Sequence, residues 1–444
     1  MQSVEEARRL LLHHLRQPAE ELVPLASAGG RVLSRPVRRH IPEPPFTRSR
    51  VDGYAVASAD LEERGAPPSR LAVTGVVLAG EEPPAPFPPG SALRVMAGAA
   101  LPEGTGAVVP FEEVPEGEDA QPGDLVTLQR RPVPGENIIP AGREGSRGSL
   151  VLPAGEACGP VELGLLAAAG EAAVWAYRRP RVGLIATGSE LVPLGEPLSP
   201  GKIYASNLYL LSGLVAAWGG VPHPAAPIPD QRAAVREALE GEARGADLVL
   251  VTGGVAGGDR DLSRRVLSEL GWPVLLDGVD FHPGGRCAVA RVPGSGAVVC
   301  FLSGGPGACL TAAVLLVAPA VASLAGRGWS TLAALLAEDP EGAPAGVPSG
   351  RGRRRAVPVE LSLSAGRLWA HPQPHSSGAP VIARGTDGVI LLPPGGGGGG
   401  RGAGDSGGPV AGETVEVWPL APLLPDGGVP GKKCAPAKEG EVLS

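Results

Sequence analysis

The chain is expected to fold as an α/β protein with a parallel sheet, flanked on either side in sequence by β-rich segments. Three observations lead there. Arg181 to Ala186, Leu248 to Val251 and Ala297 to Leu302 are short, continuous, partly β-branched apolar runs, the pattern of strands buried on both faces of a parallel sheet. Helical segments lie between the first two, from about Ser206 to Trp218 and from Asp230 to about Ala243, so the succession is βαβ with right-handed crossovers. Each apolar run stops at a polar, glycine-bearing loop, and in such sheets the loops leaving the carboxyl ends converge on one edge, where ligands bind.

Taken in order, Ser3 to Glu6 is a capping box ahead of an amphipathic helix, Ala7 to Leu15. Prolines break the stretch from Pro42 to Ala55, and Asp52-Gly53 has the turn chemistry of a hairpin. From Leu71 to Val133, alternating runs punctuated by Pro and Gly read as a small antiparallel barrel, and Gly159 to Ala167 as a helix with Pro in its first turn. Within the α/β unit, Gly253, Gly254, Gly257 and Gly258 let the backbone turn and present N–H groups, and Asp259 or Asp261 caps a helix running to Leu270. Such a loop favours a phosphate or oxyanion, and two acids beside it call for a divalent cation between carboxylate and phosphate; a tight turn with two capping acids is the alternative. Thr187 to Glu190 and Ser303 to Gly307 are the corresponding loops of the other strands, the latter opening an apolar helix from Ala308 to Leu324. Trp329 to Leu335 reads as the end of a helix, and Gly350 to Arg355 as a basic, solvated linker. Short strands at Val357 to Leu363, Leu368 to His371, Val389 to Leu392 and Thr414 to Trp418 make a second β domain, with a Gly-rich insertion at 394–408 and a disordered tail at 425–444.

The 444 residues suffice for three or four domains, and 43% apolar with 19% charged residues is the balance of a soluble globular protein. No apolar run approaches a membrane span, and the first residues lack the regions of a signal peptide, so a cytoplasmic location is expected. A net charge of −7 speaks against nucleic acid as the main partner. Cys158, Cys287, Cys300, Cys309 and Cys434 are odd in number and widely spaced, as free buried thiols are, and show no metal-ligand spacing.

A set of phrases in fixed order carries a family likeness: Ser49 with Val51 to Ala55, Val95 to Gly104, Pro134 to Asn137, Leu152 to Gly155 with Gly159 to Leu166, Arg178 to Val182, Thr187 to Leu191, Gly201 to Asn207, and the loop with Asp259 and Asp261. In these the chain resembles the MoeA family, the molybdopterin molybdenumtransferases, which also includes the catalytic domain of gephyrin. The resemblance implies an elongated domain in two segments (1–46 and 140–176), an inserted β domain (47–139), a MogA-like molybdopterin-binding α/β domain (177–327) and a C-terminal β barrel (328–424). It implies a homodimer whose cleft holds the pterin between the α/β domain of one subunit and the inserted domain of the other. A MogA-like adenylyltransferase is the implied pathway partner. The implied substrates are adenylylated molybdopterin and molybdate or tungstate, with Mg2+ and release of AMP. By the same likeness Asp52, Glu190 and Asp259 are catalytic, and Glu190, Asp259 and Asp261 hold the metal. Thr187, Gly188, Ser206, Asn207, Gly253, Gly254, Gly257, Gly258, His282, Arg286, Gly304 and Gly305 contact the pterin and its anionic groups.

The chain departs from the family pattern where charge matters. Thr47-Arg48 replaces Asp-Asn, Ala97 a threonine, Ser189 an aspartate and Ala256 a serine, and Arg143-Glu144 stands in the place of Glu-Asp. Leu302-Ser303-Gly304-Gly305-Pro306 stands for Leu-Pro-Gly-Asn-Pro, and His282-Pro283-Gly284-Gly285-Arg286 for Lys-Pro-Gly-Lys-Pro. Either a diverged enzyme has rebuilt its site, or a paralogue binds pterin without turnover, or the dimer scaffolds cofactor assembly.

Overall fold

The computed structural model describes residues 1–62, 68–84, 88–254, 260–337, 353–373, 385–393 and 411–421. These divide into two compact units: Met1–Leu22 with Gly30–Ser34 and everything from Trp175 onward, and Val23–Gly29 with Arg35–Val174.

In the larger unit the expected helix runs Val4–His14, and both arms of its capping box are made, Glu6 N–H donating to Ser3 Oγ at 3.1 Å and Ser3 N–H to Glu6 Oε2 at 3.0 Å. Six strands form the central sheet in the order Val221–Pro224, Arg181–Ala186, Leu248–Thr252, Val298–Leu302, Ala288–Arg291, Val274–Asp277. The first four are parallel neighbours, and Ala288–Arg291 runs antiparallel beside Val298–Leu302. The alternation of side chains sorts two cores. Leu184, Leu250 and Cys300 face the layer containing helix Ser206–Ala217, whereas Ile185, Val251 and Phe301 face the layer of helix Arg232–Ala243. The flanking strands Val221–Pro224, Val274–Asp277 and Ala288–Arg291 escaped the sequence reading, because none of them is a continuous β-branched run.

The apolar helix begins at Pro306 and continues to Leu324, with a π turn at Ala313–Val317 just before Pro319, whose missing N–H loosens the regular ladder there. Contrary to the expectation from sequence, this helix is long and apolar enough to cross a membrane by length and composition; Pro306, Gly307, Thr311 and Pro319 disguise it. With 83% of its apolar window buried inside the protein, it is a core helix. It packs on the N-terminal helix, on Ser206–Ala217 and on strands Gly388–Leu392 and Thr414–Pro419. Trp218, fully buried, ties the same layers: its indole N–H donates to Leu420 O at 2.7 Å and its ring meets Trp329 edge-on at 6.2 Å. Trp218→Ala should cost about 3–5 kcal/mol, measured as a lowered urea midpoint of the transition that reports this unit.

Beyond the sheet, five strands close on themselves. Arg354–Ser364 pairs with Arg367–Pro372, which pairs with Leu332–Leu336, then Thr414–Pro419, then Gly388–Leu392, which returns to Arg354–Ser364. This is the expected C-terminal barrel, filled by Ala334, Leu336, Val357, Val359, Leu361, Ile390 and Val417 among others. Two readings need correction. The Trp329 to Leu335 stretch is a strand, not a helix end: its leucines and alanines favour helix, but ladders on both sides override that preference. The basic stretch is not a solvated linker where it is described, for Arg354 and Arg355 open a barrel strand and pair in parallel with Phe281–His282 of the α/β domain. The Gly-rich insertion at 394–408 and the tail at 425–444 lie outside the described residues.

The smaller unit centres on a five-stranded sheet in the order Thr105–Pro110, Gly53–Ala57, Ser91–Val95, Ser69–Val77, Leu125–Leu128. It is not wholly antiparallel as expected, since Ser69–Val77 and Ser91–Val95 run parallel. Asp52-Gly53 does not turn a hairpin: Arg48–Ser49 pairs with Ile138–Ile139, and Gly53 opens a central strand bonded on both sides. A Cβ at Gly53 would lie 2.1 Å from Val109 O, so close strand approach, not a turn, explains this glycine. Helix Pro160–Ala168 forms as expected.

Candidate active site

Three strands of the larger unit end level with one another. Ala186 pairs with Thr252 and Thr252 with Leu302, so the loops beginning at Thr187, Gly253 and Ser303 leave the sheet side by side. The chain passes from Arg181–Ala186 outward to Val221–Pro224, then returns to Leu248–Thr252 on the opposite flank, which makes the gap between the 181–186 and 248–252 strands a topological switch point.

A cavity of ≈ 290 Å³ opens there, lined by Thr187, Glu190, Ser206, Asn207, Thr252, Gly253 and Gly304 among others. Hydrogen bonds hold its walls. Thr187 N–H donates to Thr252 O at 2.9 Å, and buried Asn207 spends its amide on Thr252 Oγ1 (2.8 Å) and Gly304 O (2.7 Å). The Asn207 Oδ1 is buried without a partner. Gly253 takes φ +98°, and a Cβ there would lie 1.9 Å from Thr187 O. Helices Ser206–Ala217 and Pro306–Ala312 both start at this cavity, and no side chain caps either one, so their positive ends favour an anion.

Glu190 is exposed on the cavity lining. Gly188 gives its N–H to Ile228 O at 3.0 Å, and any side chain on it would strike the Glu190 carboxylate, so it contributes space. Gly305 is the N-cap of helix Pro306–Ala312. Gly257, Gly258 and Asp259 lie outside the described residues; Asp261 falls in helix Arg260–Glu269, with its side chain outside them as well. Asp52 belongs to the smaller unit, where it accepts the Ala97 N–H at 2.7 Å.

His282 and Arg286 do not line this cavity but a second one, of ≈ 500 Å³, together with Pro283, Gly284, Gly285, Ser303, Ala308 and Arg353. The Ser303 to Pro306 loop contributes to both cavities, Ser303 to this one and Gly304 and Pro306 to the first. Glycines shape the second cavity too: a Cβ at Gly285 would meet Phe281 O at 2.2 Å and Val279 O at 2.3 Å, which leaves no room for lysine at that position. The His282–Pro283 peptide is cis, and Thr311 Oγ donates to Pro283 O at 2.8 Å. His282 is exposed at the mouth, yet packing on one side, then Arg353 and Arg286, pull its pKa below the usual histidine value. Burial pushes the Cys287 and Cys309 thiols up to about 12, so these cysteines are inert core residues near the site.

Sequence reasoning missed two side chains here. Asp230 reads as a helix start, but the helix begins at Arg232, and Asp230 instead accepts from Thr187 Oγ at 2.7 Å, beside Gly254. Arg353 is hidden in a run of arginines that reads as linker; only its pairing with the α/β domain one residue later reveals its place. Among the described residues no group of three His, Cys, Asp or Glu side chains forms a metal cage. Glu190, on the lining of the first cavity, and Asp230, behind Thr187, are oxygen donors of the kind a hard cation takes.

Comparison with known proteins agrees with this geometry. Residues 2–170 match the MoeA N-terminal region (domain I and II), residues 183–323 a probable molybdopterin binding domain, and residues 342–420 the MoeA C-terminal region (domain IV). The molybdopterin molybdenumtransferase of Nostoc sp. is 34% identical over 317 residues, 70% of this chain and 72% of that one; that of Haemophilus influenzae is 33% identical over 332 residues, 74% and 78%. A crystal structure of a molybdopterin biosynthesis MoeA protein from Pyrococcus horikosii superposes with a TM-score of 0.77 at 29% identity, covering 94% of this chain and 98% of that one. With three successive domain matches and relatives this similar, the chain belongs to the MoeA family of molybdopterin molybdenumtransferases.

Proposed function

We propose that this chain inserts molybdenum from molybdate into adenylylated molybdopterin and releases AMP. The observation that carries the reading is the pair of cavities that share the Ser303 to Pro306 loop, one walled by two helix N-termini without side-chain caps and the other lined by Arg286 and Arg353. In the first, helix N-termini and the Gly253 turn receive the pterin and its phosphates, with Asn207 Oδ1 left as an acceptor for a ligand donor. In the second, Arg286, Arg353 and His282 receive the tetrahedral dianion. The shared loop brings the oxyanion to the edge of the pterin site, so proximity supplies much of the catalysis.

Oxygen donors of the kind Mg2+ takes are at hand in Glu190 on the cavity lining, and by the family likeness Glu190, Asp259 and Asp261 would hold the ion; when bound, it would offset the negative charge of the phosphoanhydride. The chain's own residues orient the phosphates, anchor Thr187 through Asp230 and keep the two anions from repelling each other out of the site. Homodimerisation, with Asp52 coming from a second copy, a MogA-like adenylyltransferase as the source of the adenylylated pterin, and a cytoplasmic location belong to the same reading.

The test is AMP release from adenylylated molybdopterin, with and without molybdate, in Mg2+. Release that depends on molybdate supports turnover. Tight nucleotide binding with no release at any molybdate concentration would replace the transferase reading with that of a pterin-binding paralogue.

A further inference from the structure

We propose that oxyanion capture by this chain is coupled to a proton: a tetrahedral dianion entering between Arg286 and Arg353 draws a proton from solvent onto the His282 imidazole, so affinity falls as pH rises through neutrality. The proposal rests on the reading of the second cavity as the oxyanion port.

The geometry sets up a conflict that only an anion resolves. His282 lines the cavity with two guanidinium groups that cannot lose their charge. One comes from the turn after the cis peptide and the other from the entrance to the barrel strand. The barrel strand brings Arg353 and, as register partner of His282, Arg355; the following turn brings Arg286; the Phe281–His282 stretch is preceded by Asp280; helix Pro306–Ala312 brings Ala308 and Thr311, which are neutral. Among the described residues, the two charges that act on the ring are Arg353 and Arg286, and both oppose its protonation.

In the anion-free protein, therefore, the imidazole is held neutral more firmly than in the unfolded chain. The unfolded state binds more protons, so this group makes the fold less stable as pH falls below about 6.5, the ordinary histidine value. A bound dianion reverses the balance, because it neutralises the two guanidinium groups and accepts a hydrogen bond from the charged ring. Between the free and the bound titration points, binding takes up close to one proton, and affinity changes about tenfold per pH unit. A lysine in this place would remain charged throughout, so a chain bearing histidine gains a dependence on pH that lysine would not give.

The experiment is calorimetric titration of the full chain with molybdate, and with sulfate as a second dianion, from about pH 6 to about pH 8.5, where His is the side chain that changes charge. Each titration is run in two buffers of different ionisation enthalpy, which reports proton uptake directly. Wild type should lose affinity with rising pH and take up close to one proton near neutrality. His282→Lys should bind with little pH dependence and no uptake, and most exceed wild type at the alkaline end. His282→Gln should bind weakly with a flat profile. If wild type binds with the flat profile and absent proton uptake of His282→Gln, proton coupling is wrong while the oxyanion port stands. If wild type binds neither dianion at any pH, the port itself is wrong and the coupling falls with it.

Discussion

Gly253→Ala is expected to lower affinity for the adenylylated pterin, or for AMP as its fragment, by at least about a hundredfold. Two costs act at one atom. The backbone has φ +98°, where a non-glycine residue is penalised by about 1–2 kcal/mol, and the new Cβ would lie 1.9 Å from the Thr187 carbonyl oxygen. Relief by movement is blocked, since Thr187 is fixed through its N–H to Thr252, through its hydroxyl to Asp230 and through a bridge to Ile228. The loop must therefore pull away from the 187–190 segment and open the cavity wall, an overpacking penalty of about 1–3 kcal/mol. Gly241→Ala is the control. It lies exposed in helix Arg232–Ala243, with nothing within 4 Å of the added methyl, so binding should stay within about threefold of wild type. Titration followed by intrinsic fluorescence compares the two; equal affinities for Gly253→Ala and wild type would remove the close contact at this turn from the account of binding.

Arg286→Glu is expected to raise the molybdate concentration needed for half-maximal AMP release by two orders of magnitude or more, with pterin-nucleotide affinity changed less than about threefold. Reversing one charge replaces an attraction with a repulsion at short range, which the cation left at Arg353 cannot offset. Arg353→Glu should behave alike although it lies 67 positions further along the chain, because the barrel strand brings it to the same cavity. The separation of the two constants is the informative part. A substitution that weakened nucleotide and molybdate equally would mean that one merged site, not two neighbouring cavities, handles both anions.

Much of the α/β domain is legible in the sequence because its chemistry is local. A buried parallel strand announces itself as an unbroken apolar run, and the Gly253 turn needs a residue without Cβ. Thr187, Gly253 and Gly304, on loops that leave neighbouring strands, line one cavity for that reason, and Asn207, which only the family likeness singled out, lines it with them. What escapes depends on partners far along the chain. Leu332–Leu336 has the composition of a helix, and only its two ladders make it a strand. Asp52-Gly53 carries a turn signature that the close packing of Gly53 against Val109 overrides. Arg353 has no local mark that sets it apart from the arginines beside it, and the separation of His282 and Arg286 into their own cavity follows from the way Gly284 and Gly285 press against Phe281 and Ala308.

The short parallel join between Phe281–His282 and the first residues of the barrel strand has a mechanical meaning. It holds the second cavity together between the sheet and the barrel, with the imidazole on one jaw and the Arg353 guanidinium on the other. The barrel thereby becomes half of a vice around that cavity, fastened by a join two residues wide.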